Sequence, residues 1–152
     1  MKMTVKKVKV PLYGGLLWVV VCRNVSAAID RIEDMIDDSV HMTDKNYSNF
    51  TFAANDNKGR YRIILFIKPT TTMGELAHEC KHIVNLIFSN KGAKLSLVND
   101  EPECYFLEKI VDMAHRAIVD YNKKYKPKRK CSCSCSQPCS SPTSAGPSTS
   151  LA

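Results

Sequence analysis

Long apolar runs are missing from this 152-residue chain, and cysteines are sparse before residue 131. No stretch reaches the roughly 18 consecutive apolar residues of a membrane-spanning helix, so we expect no membrane span. The early cysteines, Cys22, Cys80 and Cys104, are scattered and odd in number. Such usage is typical of reduced thiols and favours a cytoplasmic protein over a disulfide-stabilised secreted one.

Acidic residues are absent after Asp120, although the whole chain has a formal charge of +7. Residues 122–130 contain six cations: Lys123, Lys124, Lys126, Lys128, Arg129 and Lys130. Residues 1–121 hold 16 Lys and Arg against 15 Asp and Glu, a net charge of +1. We therefore expect no nucleic-acid-binding face on the folded part, since such a face needs clustered cations. The run Lys123–Lys130 could still contact nucleic acid or another anionic partner weakly.

The N-terminus superficially matches a secretory signal, because four lysines precede the apolar run Leu16–Cys22. The basic part alternates with valines, however, and Pro11 and Gly14-Gly15 interrupt the apolar part. This pattern predicts two β-strands, a half-exposed one over residues 5–10 and a buried one over residues 16–22. Export is therefore the less favoured interpretation.

Further elements follow from local signals. Ser26 is predicted to cap a short helix that ends near Ile36, and residues 37–48 are predicted to be loop. Residues 50–53 and Tyr61–Ile67 flank a turn-rich segment and predict a β-hairpin. Thr72 and Glu75 have capping-box spacing and predict a helix to about Asn90, with Gly92 near its C-terminal end. A last helix is predicted from about 101 to 124.

His78-Glu79-Cys80-Lys81-His82 forms an uninterrupted H-E-x-x-H pattern inside the first of these long helices. Residues four apart lie above one another on a helix, so both imidazoles can reach one zinc ion. Glu79 is then placed to accept a proton from a metal-activated water as general base. The alternative is a helix on which the two histidines are merely solvated.

A catalytic zinc site needs a third protein ligand, and Asn99-Asp100-Glu101 opens the next helix. At this point residues 5–121 resemble the gluzincin branch of zinc metallopeptidases. More narrowly, they resemble the small zincin-like proteins of phage and bacterial genomes. The resemblance implies Glu101 as the third Zn²⁺ ligand after His78 and His82. Glu103, Glu108 and His115 remain alternatives, although residues seven apart on a helix are ~10 Å apart along its axis.

Two further roles are expected around this site. Tyr105, one turn beyond Glu101, could donate a hydrogen bond to a developing oxyanion, or be an ordinary core residue. The resemblance also implies an edge strand that pairs with an extended substrate, and Tyr61–Ile67 is the predicted strand.

We therefore expect an α+β, zincin-like domain over residues 1–121, with a mostly antiparallel sheet of about four strands. Residues 122–152 are predicted to be a disordered basic and Ser/Cys/Pro-rich tail. The predicted function is zinc-dependent hydrolysis of a peptide or protein substrate, in the cytoplasm of a bacterium or a phage-infected cell. One alternative is a degenerate zincin that acts as a non-catalytic metal-binding or interaction module. Another is a nucleic-acid accessory protein that acts through its tail.

Overall fold

In the described part of the chain, four strands form a single mixed sheet. The computed structural model describes residues 2–33, 35–36, 48–94, 96 and 98–125. The strands are β1 (Met3–Lys9), β2 (Leu16–Cys22), β3 (Phe50–Asn55) and β4 (Tyr61–Ile67), arranged in the order β1-β2-β4-β3. The outer pairs β1–β2 and β3–β4 are antiparallel, and the central pair β2–β4 is parallel. The α+β class and the four strands are confirmed, while the sheet is mixed.

The strand order follows from the burial that each sequence demands. β2 and β4 are almost continuously apolar, and every residue of each strand after the first is buried. Strands that are covered on both faces belong at the centre of a sheet, whereas the partly exposed β1 and β3 lie at its edges. The expectation that Tyr61–Ile67 is an edge strand is therefore wrong.

The described residues form three helices that cover the sheet: α1 (Val25–Glu33), α2 (Met73–Lys91) and α3 (Glu101–Tyr125). The predicted capping box of α2 is present, because Glu75 N donates to Thr72 Oγ1 and Thr72 N donates to Glu75 Oε2. Gly92 ends α2 with a φ of 65°, a left-handed conformation that glycine adopts without a steric penalty. The cap of α1 is Asn24 rather than the predicted Ser26, since Asn24 Oδ1 accepts from Ala27 N at 3.1 Å.

The two faces of the sheet pack against different helices. Leu17, Val19 and Val21 of β2 belong to a core with α2 and α3. The alternate residues Trp18, Val20 and Cys22 belong to a second core with α1. Because successive side chains of a strand point to opposite faces, one apolar strand contributes to both cores.

Helix α3 extends beyond residue 121, the predicted end of the domain. Asn122 Nδ2 donates to Pro69 O at 3.4 Å, and Tyr125 OH donates to Met3 O at 3.2 Å. Residues up to Tyr125 therefore pack as part of the fold. The predicted loop over 37–47 and the rest of the predicted tail, 126–152, lie outside the described residues.

The helices of the described ranges give no candidate for a membrane span, since none is both long and apolar enough.

Candidate functional site

One face of α2 presents the two histidines of the H-E-x-x-H pattern to an open cleft. His78 and His82 are exposed, while Leu76, Cys80, Ile83 and Ile87 on the opposite stripe are buried against the sheet. This separation is the amphipathic pattern of a helix that packs one face on a core. The cleft has a volume of about 610 Å³. Its lining residues are Asn49, Phe50, Thr51, His78, Glu79, His82, Asn85, Leu86 and Ser89.

The two imidazoles converge at their Nε2 atoms, which are 3.1 Å apart. The rings are almost perpendicular, with an interplanar angle of 86° and centroids 4.7 Å apart. Two nitrogens that each bind a tetrahedral zinc ion at ~2.0–2.1 Å lie roughly 3.3–3.4 Å from each other. The pair therefore fits a shared metal ion. The same distance also fits an Nε2–H···Nε2 hydrogen bond between the rings.

Glu79 forms part of the cleft wall and is only 8% exposed. The hydroxyl of Thr51 on β3 lies 3.0 Å from Glu79 Oε2 and 3.2 Å from the Glu79 carbonyl oxygen. Among the described residues, Thr51 is the only partner of this carboxylate. A hydroxyl donor to a carboxylate both satisfies a buried acceptor and restricts its rotamer. Glu79 is thus held beside His78 and His82.

The strand beside α2 at the sheet edge is β3. It pairs with β4 on one side, and its neighbouring residue Asp56 makes one isolated bridge with Ile36. Its side chains alternate, so that Thr51 faces α2 while Phe50 and Phe52 stack with Phe66 on the opposite face. Among the described strands β3, and not β4, lies at the sheet edge beside the cleft, so the edge-strand role that was predicted for β4 corresponds to β3.

The cleft continues along α2 toward its N-terminus. A second cavity, of about 410 Å³, shares Asn49, His78 and Glu79 with the first and extends past Ser48 to Gly74 and Glu75. Asn49 is fixed there by its Oδ1, which accepts from Lys68 N at 2.9 Å and from Thr71 Oγ1 at 2.7 Å. Gly74 to Ser89 corresponds to ~22 Å of helix. That length matches about six or seven residues of extended chain at ~3.3 Å each.

The predicted third ligand is not assembled with the histidines. Among the residues that the structure describes, no three His, Cys, Asp or Glu side chains form a group that could hold a metal ion. Glu101 and the alternatives Glu108 and His115 are exposed on α3.

Glu103 is the acidic residue of α3 that contacts α2. Its side chain is 15% exposed and forms an ion pair with Lys81, the residue before His82. Glu101 and Glu103 are two residues apart and project about 200° apart around a helix with 3.6 residues per turn. When Glu103 faces α2, Glu101 faces away from it. The helix that was predicted to supply the third ligand, α3, therefore does lie beside α2. The carboxylate that it directs toward α2 is that of Glu103 and not the predicted Glu101.

Tyr105 lies apart from the histidine cleft. It is 64% exposed and lines a separate groove of about 400 Å³. That groove is lined by Pro11, Leu12, Tyr13, Pro102, Tyr105, Phe106 and Lys109. The structure therefore does not bring Tyr105 together with Glu79, and its predicted oxyanion contact has no geometric support here.

Two potential ligands close to the motif are committed elsewhere. Burial, with a smaller contribution from the Glu79 charge, raises the pKa of the Cys80 thiol to about 12, so that it stays protonated at neutral pH. Hydrogen bonds from Thr72, first from its backbone N–H, lower the pKa of Glu75 and keep its carboxylate at the helix cap. These interactions leave His78, His82 and Glu79 as the reactive groups of this face.

Thr51 and Asn49 are the site residues that sequence reasoning missed. A threonine at the second position of a short strand is ordinary, and nothing local indicates that it meets a helix 28 residues later. The alternation of Phe50 and Phe52 does show that Thr51 points to the other face of the sheet. This alternation was the one sequence feature that could have placed Thr51 on the face of the sheet toward α2.

The chain was also compared with known proteins. No family model, curated protein or solved structure gives a significant match to it.

Proposed function

We propose that this protein is a zinc-dependent peptidase whose catalytic cleft lies between α2 and β3. The main support is the convergence of the His78 and His82 Nε2 atoms, 3.1 Å apart, beside the buried carboxylate of Glu79. An H-E-x-x-H helix with this side-chain arrangement has the residues that water-mediated peptide hydrolysis requires.

The proposed residue roles follow from these positions. His78 and His82 would hold the metal, with a carboxylate from the start of α3 as the third ligand. Bound Zn²⁺ supplies a Lewis acid and lowers the pKa of a water molecule that it holds. Glu79 accepts the proton from the attacking water and returns it to the leaving amine. Thr51 keeps the Glu79 carboxylate in the rotamer that faces the cleft.

The cleft is consistent with an extended peptide or protein substrate. It runs along α2 for ~22 Å, about the length of six or seven extended residues, and is bordered by β3. We propose a reducing compartment, such as the cytoplasm, as the setting. The support is that the thiols of Cys22, Cys80 and Cys104 are free.

Metal analysis of the purified full-length protein is the first experiment. We expect one zinc per chain, which is lost in His78→Ala and in His82→Ala. His115→Ala removes the alternative histidine ligand on α3 and should keep its zinc, because the third ligand that we propose is a carboxylate at the start of α3 and His115 is exposed further along that helix. Equal zinc content in all three variants would contradict the proposed metal site.

Hydrolysis of a labelled unstructured protein such as casein is the second experiment. Glu79→Gln should abolish cleavage and leave the zinc content unchanged, because it removes the base and no metal ligand. Asp112→Asn, which alters an exposed carboxylate of α3 outside the candidate ligand set, should cleave normally. Zinc binding without any cleavage by the wild type would instead support the non-catalytic metal-binding module.

A further inference from the structure

The charge of the folded part is unevenly distributed along the sequence. Residues 1–29 contain five Lys and Arg and no Asp or Glu. Residues 30–121 contain 11 Lys and Arg against 15 Asp and Glu. The net charge of +1 over residues 1–121 is thus the sum of a basic N-terminal part and an acidic remainder. A second basic part, with six Lys and Arg and no acid, follows over residues 122–152.

The fold brings the beginning of β1 and the end of α3 together. Tyr121 OH donates to Lys2 O at 3.2 Å, and Tyr125 OH donates to Met3 O at 3.2 Å. The tyrosine rings pack on each other with centroids 4.7 Å apart. These contacts bring the basic residues 1–29 next to residue 122, where the second basic part begins.

Four lysines meet at this junction, which we call the basic corner: Lys2, Lys6, Lys123 and Lys124. The Lys2 and Lys124 ammonium groups lie 5.9 Å and 5.3 Å from the centroid of the Tyr125 ring.

In the part of the chain that the structure describes, Asp120 is the acidic residue that contacts this corner. Lys6 Nζ is 2.8 Å from Asp120 Oδ2. The Lys6 hydrogen bond, with a smaller effect of Lys123, lowers the pKa of Asp120, so that its carboxylate stays ionised. Four ammonium groups and one carboxylate leave an excess of three positive charges at the basic corner.

Cations continue from this corner along the outer edge of the sheet. Lys7 and Lys9 are exposed on β1, which is ~23 Å long at ~3.3 Å per residue. Lys7 lies over the Trp18 ring at 4.3 Å from its centroid. Lysines on an edge strand discourage strand pairing, which explains the lysines of β1 but not those of α3.

We infer that the basic corner and the outer edge of β1 bind the phosphate backbone of nucleic acid. Lysine ammonium groups are hydrated point charges, and several of them on one surface give salt-dependent contacts that do not depend on base sequence. This surface belongs to the folded residues, in contrast to the sequence-based expectation that basic contacts come from the tail alone.

A membrane surface fits the corner less well. Stable adsorption of a basic surface to lipid usually requires exposed apolar side chains beside the cations. Among the described residues the exposed large apolar side chains are Leu12, Met35, Met73, Val98 and Tyr105, and none belongs to the corner. Tyr105 is ~30 Å from Tyr125 along α3. The surface is therefore suited to a hydrated polyanion.

The test compares two full-length triple variants with equal charge change. One has Lys2→Gln, Lys123→Gln and Lys124→Gln, and the control has Lys58→Gln, Lys91→Gln and Lys94→Gln. All six lysines are exposed, and the control lysines lie outside β1 and α3. Binding to a 20-base-pair DNA duplex and to a 20-nucleotide RNA is measured by fluorescence anisotropy between 50 and 200 mM salt.

We expect the corner variant to bind at least ~10-fold more weakly than the control variant at low salt. For the duplex, its slope of log K against log salt should fall by about 3, one per lost phosphate contact. Equal effects of both triple variants would overturn the inference, and so would binding to phosphatidylserine vesicles but to neither nucleic acid. The zinc site enters neither measurement, so that the two proposals fail independently.

Discussion

The Thr51 hydroxyl lies 3.0 Å from Oε2 of Glu79 and links the edge strand β3 to the motif helix α2. Its counterpart on the sheet is Leu65 of β4, so that Thr51 is anchored through the backbone pairing of two strands. A rigid strand therefore sets the position of the side chain that we propose as the general base.

Removing this hydroxyl should slow hydrolysis without affecting metal binding. We expect Thr51→Val to lower kcat about 10-fold, which corresponds to ~1.4 kcal/mol of barrier, because Glu79 loses the donor that holds its rotamer. Thr51→Ser keeps the hydroxyl and should retain most of the activity. Steady-state kinetics and zinc titration of both variants make the measurement. A loss of zinc affinity in Thr51→Val would instead indicate a general disturbance of α2.

The third ligand can be assigned by a matched pair of variants. Because Glu103 faces α2 and Glu101 does not, we expect Glu103→Gln to weaken zinc binding by at least ~10-fold and Glu101→Gln to have little effect. Competition with a zinc chelator measures both affinities. The reverse order would support the sequence-based prediction of Glu101. If the zinc affinity changes in neither variant, both residues are excluded as ligands.

Asp56 should make the fold sensitive to acid. It is nearly buried and pairs with Arg60 and with the buried Arg62, each at 2.8 Å. The hydrogen bond from the Arg60 side chain is the main reason that the pKa of Asp56 lies well below its usual range. The ionised carboxylate thus stabilises the fold above its unfolded-state pKa of ~3.9, and this contribution is lost as the pH falls toward the folded-state value.

Thermal unfolding of Asp56→Asn tests this dependence. We expect its melting temperature to be several degrees below that of the wild type at pH 7, because Arg62 loses its counter-charge. The difference should shrink as the pH is lowered from 4 toward 2. Glu108→Gln is the control, since Glu108 and its neighbour Lys109 are both exposed. A difference that stays constant with pH would show that the Asp56 charge does not contribute.

Leu12 offers a stabilising substitution. It has a φ of 63° and is 93% exposed, so that it has an unfavourable backbone conformation and little burial to offset it. Asparagine tolerates this left-handed conformation better, and we expect Leu12→Asn to stabilise the fold by ~0.5–1 kcal/mol. Denaturant unfolding measures the change. Val98→Asn is the control, because Val98 is 98% exposed without a positive φ and should gain nothing.

Local signals predicted the two long helices well. The Thr72–Glu75 capping box and Gly92 lie within a few residues of the boundaries that they determine, so the extent of α2 was readable from the sequence. The prediction that Ser26 caps α1 was wrong. Asn24, two residues earlier, is an equally good N-cap residue and starts the helix there.

Non-local pairing was harder to predict. Tyr61–Ile67 was expected at an edge, yet its continuous apolar run already required cover on both faces, and its parallel partner β2 lies about 45 residues earlier. The Thr51–Glu79 contact and the meeting of Lys2 with Lys124 also join distant residues. Such contacts depend on how elements pack, and single-sequence periodicity does not determine that packing.

The sheet order has a practical consequence for handling this protein. Residues 2 and 125 lie near β1, whereas the histidine cleft borders β3 at the far side of the sheet, three inter-strand spacings or ~14 Å away. A label or surface linker that is attached at either position would therefore be distant from the cleft. Immobilised protein should therefore keep its cleft accessible to large substrates.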